Sequence, residues 1–216
     1  LGNAYEAQGK HEMALKEYKI ALRLNPENPL THNNLGNIHA ARGDYENAIA
    51  EYGIEIRLDP GNAEVWKNLG DAHWAIGQID RTIEAYRGAA RIDREDAETH
   101  FTLGELYTKN GSYPEAIVAY QGALGVDRGR DDTDFRLAAD AYAALGRCYR
   151  ATEDYDRAVS SFRAALRLEP DDAGNHNNLG NVYASREQYE MAAAQYAEAI
   201  RLSPDNVDIQ SNLGNA

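Results

Sequence analysis

Six histidines are the side chains of this sequence best suited to hold a metal or carry a proton near neutral pH. His32, His100 and His176 each stand three residues before a Leu-Gly dipeptide, and His39 and His73 each stand four residues after such a leucine. Offsets that return with a recurrent dipeptide point to packing, and no cysteine or carboxylate joins these histidines at metal-ligand spacing. No phosphate-cradling glycine loop occurs, no Gly-x-Ser-x-Gly elbow, and no nucleophile beside an evident base. Carboxylate pairs such as Asp131 and Asp132 fall at helix-cap positions. The residues therefore read as those of a non-enzyme with no metal and no cofactor.

The asparagines carry a different chemistry. Asn34 with Asn37, and Asn178 with Asn181, are three apart on one helical face; Asn68 and Asn212 continue the row, and Asn177 borders it. Asparagine is about 0.6 kcal/mol worse than alanine inside a helix, so its repeated use there needs a reason. A carboxamide both donates and accepts, so it can match the N–H and C=O of an extended peptide whatever the peptide's sequence. Two other readings stay open: the amides bond adjacent helices and hold the stack, or duplicated units share them by descent.

What positions these residues is a repeat. Leu-Gly recurs at Leu1, Leu35, Leu69, Leu103, Leu145, Leu179 and Leu213, in steps of 34, 34, 34, 42, 34 and 34. Within each period apolar residues lie three and four apart, and Gly or Pro breaks the pattern about every 15 residues, which predicts antiparallel helix pairs. The expected organisation is one solenoid over 1–216, with a partial unit at 1–28 and complete units at 29–62, 63–96 and 97–130. A unit at 131–172 carries an eight-residue insertion, 173–206 is complete, and 207–216 is a partial unit. The insertion, Asp131 to Ala138, extends the stripe of Phe135, Ala138, Tyr142, Leu145 and Tyr149, and is expected to add about two turns to a first helix. Asp131, Asp132 and Thr133 are its N-cap candidates. Arg94 and Arg128 stand where other units have proline, so less sharp helix ends are expected there. Glu153 and Glu187 replace glycine at the inter-helix turn, so a different turn geometry is expected in those two units.

Composition narrows the partners. With 22 Lys plus Arg against 35 Asp plus Glu the formal charge is −13, which disfavours nucleic acid and leans toward a partner with basic character. No apolar run is long enough to cross a membrane. The lone Cys148 excludes an internal disulfide and leaves the compartment open, with the cytoplasm the first choice; helical phase puts it inside. The chain begins mid-helix and reads as a segment of something longer.

Trp66-x2-Leu69-Gly70, and Ala158-x3-Phe162 with Ala165 and Pro170, resemble the tetratricopeptide repeat (TPR) motif, and the resemblance runs the length of the chain. It implies an all-α solenoid, a right-handed superhelix whose first helices line a concave peptide-binding groove. The histidines before Leu-Gly occupy the motif's Trp position and His39 and His73 its Tyr position. Carried onto this sequence, the groove takes Asn34, Asn37, Lys67, Asn68, Asp71, Trp74, Phe101, Arg147, Asn177, Asn178, Asn181 and Asn212. Trp66 and Trp74 are eight residues apart, about 80° around a helix, so Trp66 packs while Trp74 looks into the groove with Phe101. The two-Lys, one-Arg, two-Asn carboxylate clamp of co-chaperone TPR domains does not match. The asparagine-lined TPR superhelix of O-linked N-acetylglucosamine transferase is more similar, although Thr102 and Ala144 interrupt the row. The resemblance implies a protein-interaction scaffold binding extended peptide. The alternatives are a substrate-recruiting arm of a larger enzyme such as a glycosyltransferase, or a structural assembly module. Interior-like chemistry at both ends, with Leu-Gly-Asn-Ala at 1–4 and 213–216, suggests end-to-end self-association.

Overall fold

The computed structural model describes residues 1–125 and 132–215, and of 132–134, 208, 214 and 215 the backbone alone. Among them are thirteen helices and no strand. Residues 1–94 and 95–216 form two compact units. The first contains α1 (Gly2–Glu6), α2 (His11–Leu24), α3 (Pro29–Ala41), α4 (Tyr45–Leu58), α5 (Ala63–Ala75) and α6 (Ile79–Ile92). The second contains α7 (Ala97–Lys109), α8 (Tyr113–Gly125), α9 (Asp132–Ala151), α10 (Tyr155–Leu168), α11 (Ala173–Ser185), α12 (Tyr189–Leu202) and α13 (Val207–Asn215). Helices pack in successive pairs, α1 on α2 through α11 on α12, and within each unit a second helix also meets the first helix of the next pair. The architecture is an all-α repeat solenoid.

Local chemistry explains the boundaries. Before a first helix stands Asn28, Asn62, Asp96, Asp172 or Asn206, whose side-chain oxygen accepts a backbone N–H from the helix's first turn at 2.8–3.2 Å. Pro29 and Pro114 sit in first turns, where a missing N–H costs nothing. Pairs close through a residue of positive φ: Gly9, Gly43, Gly77 and Gly111 at 69–77°. Glu153 and Glu187 have φ of 59°, so these turns keep the glycine geometry, contrary to the expectation of a different one. The same backbone bonds close them: Gly43 N–H to Ala40 O at 2.9 Å, and Glu187 N–H to Ala184 O at 2.9 Å. Two glutamates thus bear the steric cost of a left-handed conformation.

The Arg94 end also differs from expectation. α6 stops at Ile92 after 14 residues, as long as α4 and α10, whose ends precede proline, because Asp93 is already extended. Arg128 lies outside the described residues, as does the cap candidate Asp131. α9 has 20 residues against 13 for α3, α5, α7 and α11, and its added residues lie at its N-terminus.

The helices of a pair touch through glycine and a ring. A Cβ built on Gly36 would meet the Tyr52 ring at 2.5 Å, and one on Gly180 the Tyr196 ring at 2.6 Å. Ala48, Ala116, Ala158 and Ala192 are fully buried on the second helices. Three core clusters result: around Tyr18 and Leu35, around Tyr52 and Val65, and a larger one around Phe162 that spans α8 to α12.

Candidate functional site: the exposed face of the first helices

The site begins with a hydroxyl. Packing Tyr52 on Gly36 delivers its phenol to α3, where the OH donates to Asn37 Oδ1 at 2.8 Å. Tyr18 reaches Asn3 at 2.7 Å, Tyr196 reaches Asn181 at 2.8 Å, and Tyr86 reaches Asp71 at 2.5 Å, always 15 residues apart. Tyr18 also lies 2.6 Å from Glu6 Oε2. Burial pushes the Tyr18, Tyr52, Tyr120 and Tyr196 hydroxyls above their ordinary pKa, so they are donors throughout the physiological range. At the same spacing Glu105 stands opposite Tyr120, whose OH meets Thr108 Oγ1 at 3.4 Å. The remaining pair is Arg147 and Phe162: a donor where the others have an acceptor, and a ring without the hydroxyl.

A second set of bonds joins neighbouring first helices. Asn34 Nδ2 donates to Asn3 Oδ1 at 3.3 Å, Asn68 Nδ2 to Asn37 Oδ1 at 3.4 Å, and Asn212 Nδ2 to Asn177 Oδ1 at 2.9 Å. Asn3 and Asn37 thereby use both lone pairs of the carboxamide oxygen and keep their Nδ2 hydrogens. The side chain of Asn178 forms no hydrogen bond among the described residues, and the residue is half-buried. The stack-holding role is therefore observed for several amides of the row. The sequence carries a signal for the tyrosine bonds that helical spacing within one element does not expose: an acceptor after Leu-Gly and a tyrosine 15 residues on, in the next helix.

In residues 1–94, Asn34, Asn37, Lys67 and Asn68 are half-buried, and Asp71 and Trp74 are exposed, Trp74 at 41%. Lys67 pairs with Glu64 at 2.9 Å. Trp66 is held apart from Trp74: its ring covers Gly88, and its Nε1 donates to Pro60 O at 3.3 Å. In residues 95–216, Asn177, Asn178, Asn181 and Asn212 are half-buried. Phe101 stacks edge-on against Tyr120 with centroids 5.4 Å apart. Arg147 is exposed and in no ion pair among the described residues.

The histidines do more than fill space. His32 Nε2 donates to Pro26 O at 2.9 Å and His176 Nε2 to Pro170 O at 3.0 Å, as Trp66 does at Pro60 and Gln210 Nε2 does at Pro204, at 2.8 Å. What these four side chains share is an N–H donated to the carbonyl six residues earlier, which glutamine supplies without a ring. Their Nδ1 atoms lie 2.6 Å from Glu51 and 2.9 Å from Gln195. Among the described residues no three His, Cys, Asp or Glu side chains converge as metal ligands. Cys148 is 1% exposed and burial raises its thiol pKa, which suits packing and not nucleophilic attack.

TPR family models match residues 2–43, 36–77 and 180–216 (TPR repeat), and 63–96 and 95–171 (tetratricopeptide repeat). The chain belongs to the tetratricopeptide repeat family. No curated protein matches the sequence. Among solved structures it is similar to YrrB, described as a TPR protein with an unusual peptide-binding site: TM-score 0.74, 22% identity, covering 90% of this chain and 96% of that one. It is similar to MamA, with TM-score 0.70, 23% identity, and 82% and 92% covered. It is also similar to the C-terminal part of a TPR repeat-containing protein from Cytophaga hutchinsonii, with TM-score 0.72, 15% identity, and 98% and 81% covered. No helix among the described residues is long and apolar enough to cross a membrane.

Proposed function

We propose that the chain is a protein-interaction module that takes an extended peptide segment along the exposed face of its first helices, reading the peptide's backbone with asparagine amides. The observation that carries this reading is the division of labour within the carboxamides. Asn37 accepts from Tyr52 and Asn68 through its oxygen, which fixes the side chain and leaves its N–H groups directed to no protein acceptor among the described residues. A pre-oriented donor loses little entropy on binding a peptide carbonyl. YrrB, a protein of this fold described as having an unusual peptide-binding site, supports the same reading. Within residues 1–94, Lys67, Asp71 and Trp74 vary the side-chain environment offered to a peptide, as Phe101 and Arg147 do within residues 95–216, and the −13 charge favours basic segments where Asp71 is exposed.

Asn178 gives the sharpest test because no intramolecular hydrogen bond is lost with it. Peptide ligands selected on an array against the parent protein are to be titrated against Asn178→Ala by calorimetry. Binding should weaken by about 0.5–1.5 kcal/mol while the melting temperature holds or rises slightly. Adding Asn34→Ala, Asn68→Ala and Asn212→Ala should weaken binding by further decades, with some stability lost through the broken inter-helix bonds. Undiminished peptide affinity in the quadruple variant would show that the row is purely structural.

A further inference from the structure

A second surface lies away from the asparagine face. On α11, Leu179 and Tyr183 point between α10 and α12, and Tyr183 is 200° around the helix from Asn181 at 100° per residue. Each only 3% exposed, they form the floor of an open cleft of about 560 Å³ whose walls include Leu166 and Met191. Met191 is 43% exposed. The rim is basic. Arg163 and Arg167, one turn apart on α10, both line the cleft and both are exposed. Arg163 Nη2 donates to the Tyr183 hydroxyl at 2.7 Å, which holds its guanidinium at the cleft's edge. Arg167 is in no ion pair among the described residues, and Glu190 is the single acid of the lining.

Two exposed arginines beside an exposed apolar cleft are unexpected on a chain of charge −13. Part of the pattern has a local cause, since Arg23, Arg57, Arg91, Arg167 and Arg201 all stand in the last turn of a second helix and complement its dipole. That cause does not reach Arg163, a turn earlier, nor the apolar floor. The repeat-equivalent cleft beside α2 has Lys19 and Arg23 in the same places but is lined by polar side chains, including Lys16, His39 and Asp44. The α2 cleft thus shares the paired cationic rim of the α10–α12 cleft but not its apolar lining.

We propose that this cleft docks an acidic amphipathic helix of a partner protein: one bulky apolar side chain enters over Leu179 and Tyr183, and two carboxylates one helical turn apart meet Arg163 and Arg167. The spacing carries the choice of a helix. Side chains four apart on α10 are neighbours on its surface, and the anions that match them have the same separation on a helical ligand. Helix-in-groove recognition supplies the apolar contact, and the charge pair fixes register. This surface is independent of the asparagine reading and survives its failure.

The test uses the whole chain and fluorescein-labelled helical peptides with a central Leu, flanked by Glu on the arginine-facing side, against otherwise identical peptides with Lys flanks or a central Ala. The Glu-flanked Leu peptide should bind in the micromolar range and lose about tenfold in Arg163→Glu/Arg167→Glu, as two partly exposed pairs of about 0.7 kcal/mol each would give. Arg167→Glu alone, at an exposed side chain in no ion pair among the described residues, should lose a smaller factor with unchanged circular dichroism and melting. Met191→Asp should also weaken binding, and Asn178→Ala should not. Equal binding of Lys-flanked peptides, or indifference to both arginine substitutions, would overturn the proposal. So would self-association of the parent by sedimentation that the same substitutions abolish, because the occupant would then be a second copy.

Discussion

Arg147 and Phe162 show how a residue-scale rule becomes visible inside a single chain. At five of the six places where a first-helix residue after Leu-Gly stands 15 positions before a second-helix ring, the first is Asn, Asp or Glu and the ring is tyrosine. Only opposite Arg147 does the ring lose its hydroxyl. A buried phenol needs an acceptor, and arginine has none. Phe162 is 0% exposed, so Phe162→Tyr should bury an unsatisfied hydroxyl and cost about 1–3 kcal/mol in urea unfolding. The double variant Phe162→Tyr/Arg147→Asn should recover most of that loss, and a cycle with no coupling would refute the pairing rule. A second residue-scale consequence concerns Glu55, 2% exposed on α4. Its Oε1 accepts from Asn62 Nδ2 at 3.2 Å and its Oε2 has no partner. Burial, reinforced by Asp59 and opposed by Asn62 and His32, pushes its pKa from 4.5 to about 7. The folded state then holds a proton that the unfolded state has released, so stability falls as pH rises from 4.5 to 7, by up to about 3 kcal/mol, and is flat above. Glu55→Gln should remove that slope: the variant's stability relative to the parent should be higher at pH 8 than at pH 4. A difference independent of pH would mean Glu55 ionises normally. Neither effect stood out in the sequence. The hydroxyl–amide pairing needs contacts across two helices, and Glu55 has the spacing of an ordinary helix-surface acid.

At the scale of the element, the sequence was most readable where backbone chemistry is local. The proline stops and the glycine breaks follow from φ restrictions that hold wherever those residues stand. The turns at Glu153 and Glu187 were misread because the repeat overrides the residue: the pair geometry set by Gly146 on Phe162 and Gly180 on Tyr196 demands the same closing φ, and a non-glycine must adopt it. The end of α6 at Ile92 teaches the same lesson, since an extended Asp93 stops the helix without proline. Glu153→Gly and Glu187→Gly should each therefore stabilise the chain by about 1 kcal/mol, the cost of placing an L side chain in the left-handed region, with additive effects in thermal unfolding. The reverse change at Gly43, φ 77°, should destabilise by a similar amount. If glutamate proves as stable as glycine at 153, side-chain contacts there must offset the strain.

At the scale of the whole molecule, the 34-residue period gave the fold class, because no unit of this size buries its apolar face without a neighbour. What the period does not carry is how evenly stability is spread. Within residues 95–216 a single core cluster runs through α8 to α12, joining Tyr120, Leu145, Phe162, Val182 and Tyr196. Within residues 1–94 two smaller clusters form, one on α2 and α3 and one on α4 and α5, and the buried Ile83, Ala85 and Ala89 of α6 join neither. In a repeat chain, stability is a sum of unit and nearest-neighbour terms, so the reach of a core substitution should follow the continuity of the cluster it breaks. Phe162→Ala, a loss of about 3–5 kcal/mol, should lower amide protection together across α8 to α12 in hydrogen-exchange mass spectrometry. Val65→Ala, at a 0% exposed side chain of the α4–α5 cluster, should lower protection in α4 and α5 well before α2 and α3. The comparison is internal to each unit and so does not depend on absolute stability. If Val65→Ala deprotects α2 as deeply as α5, residues 1–94 unfold as one block, and the division of their core into two clusters has no energetic meaning.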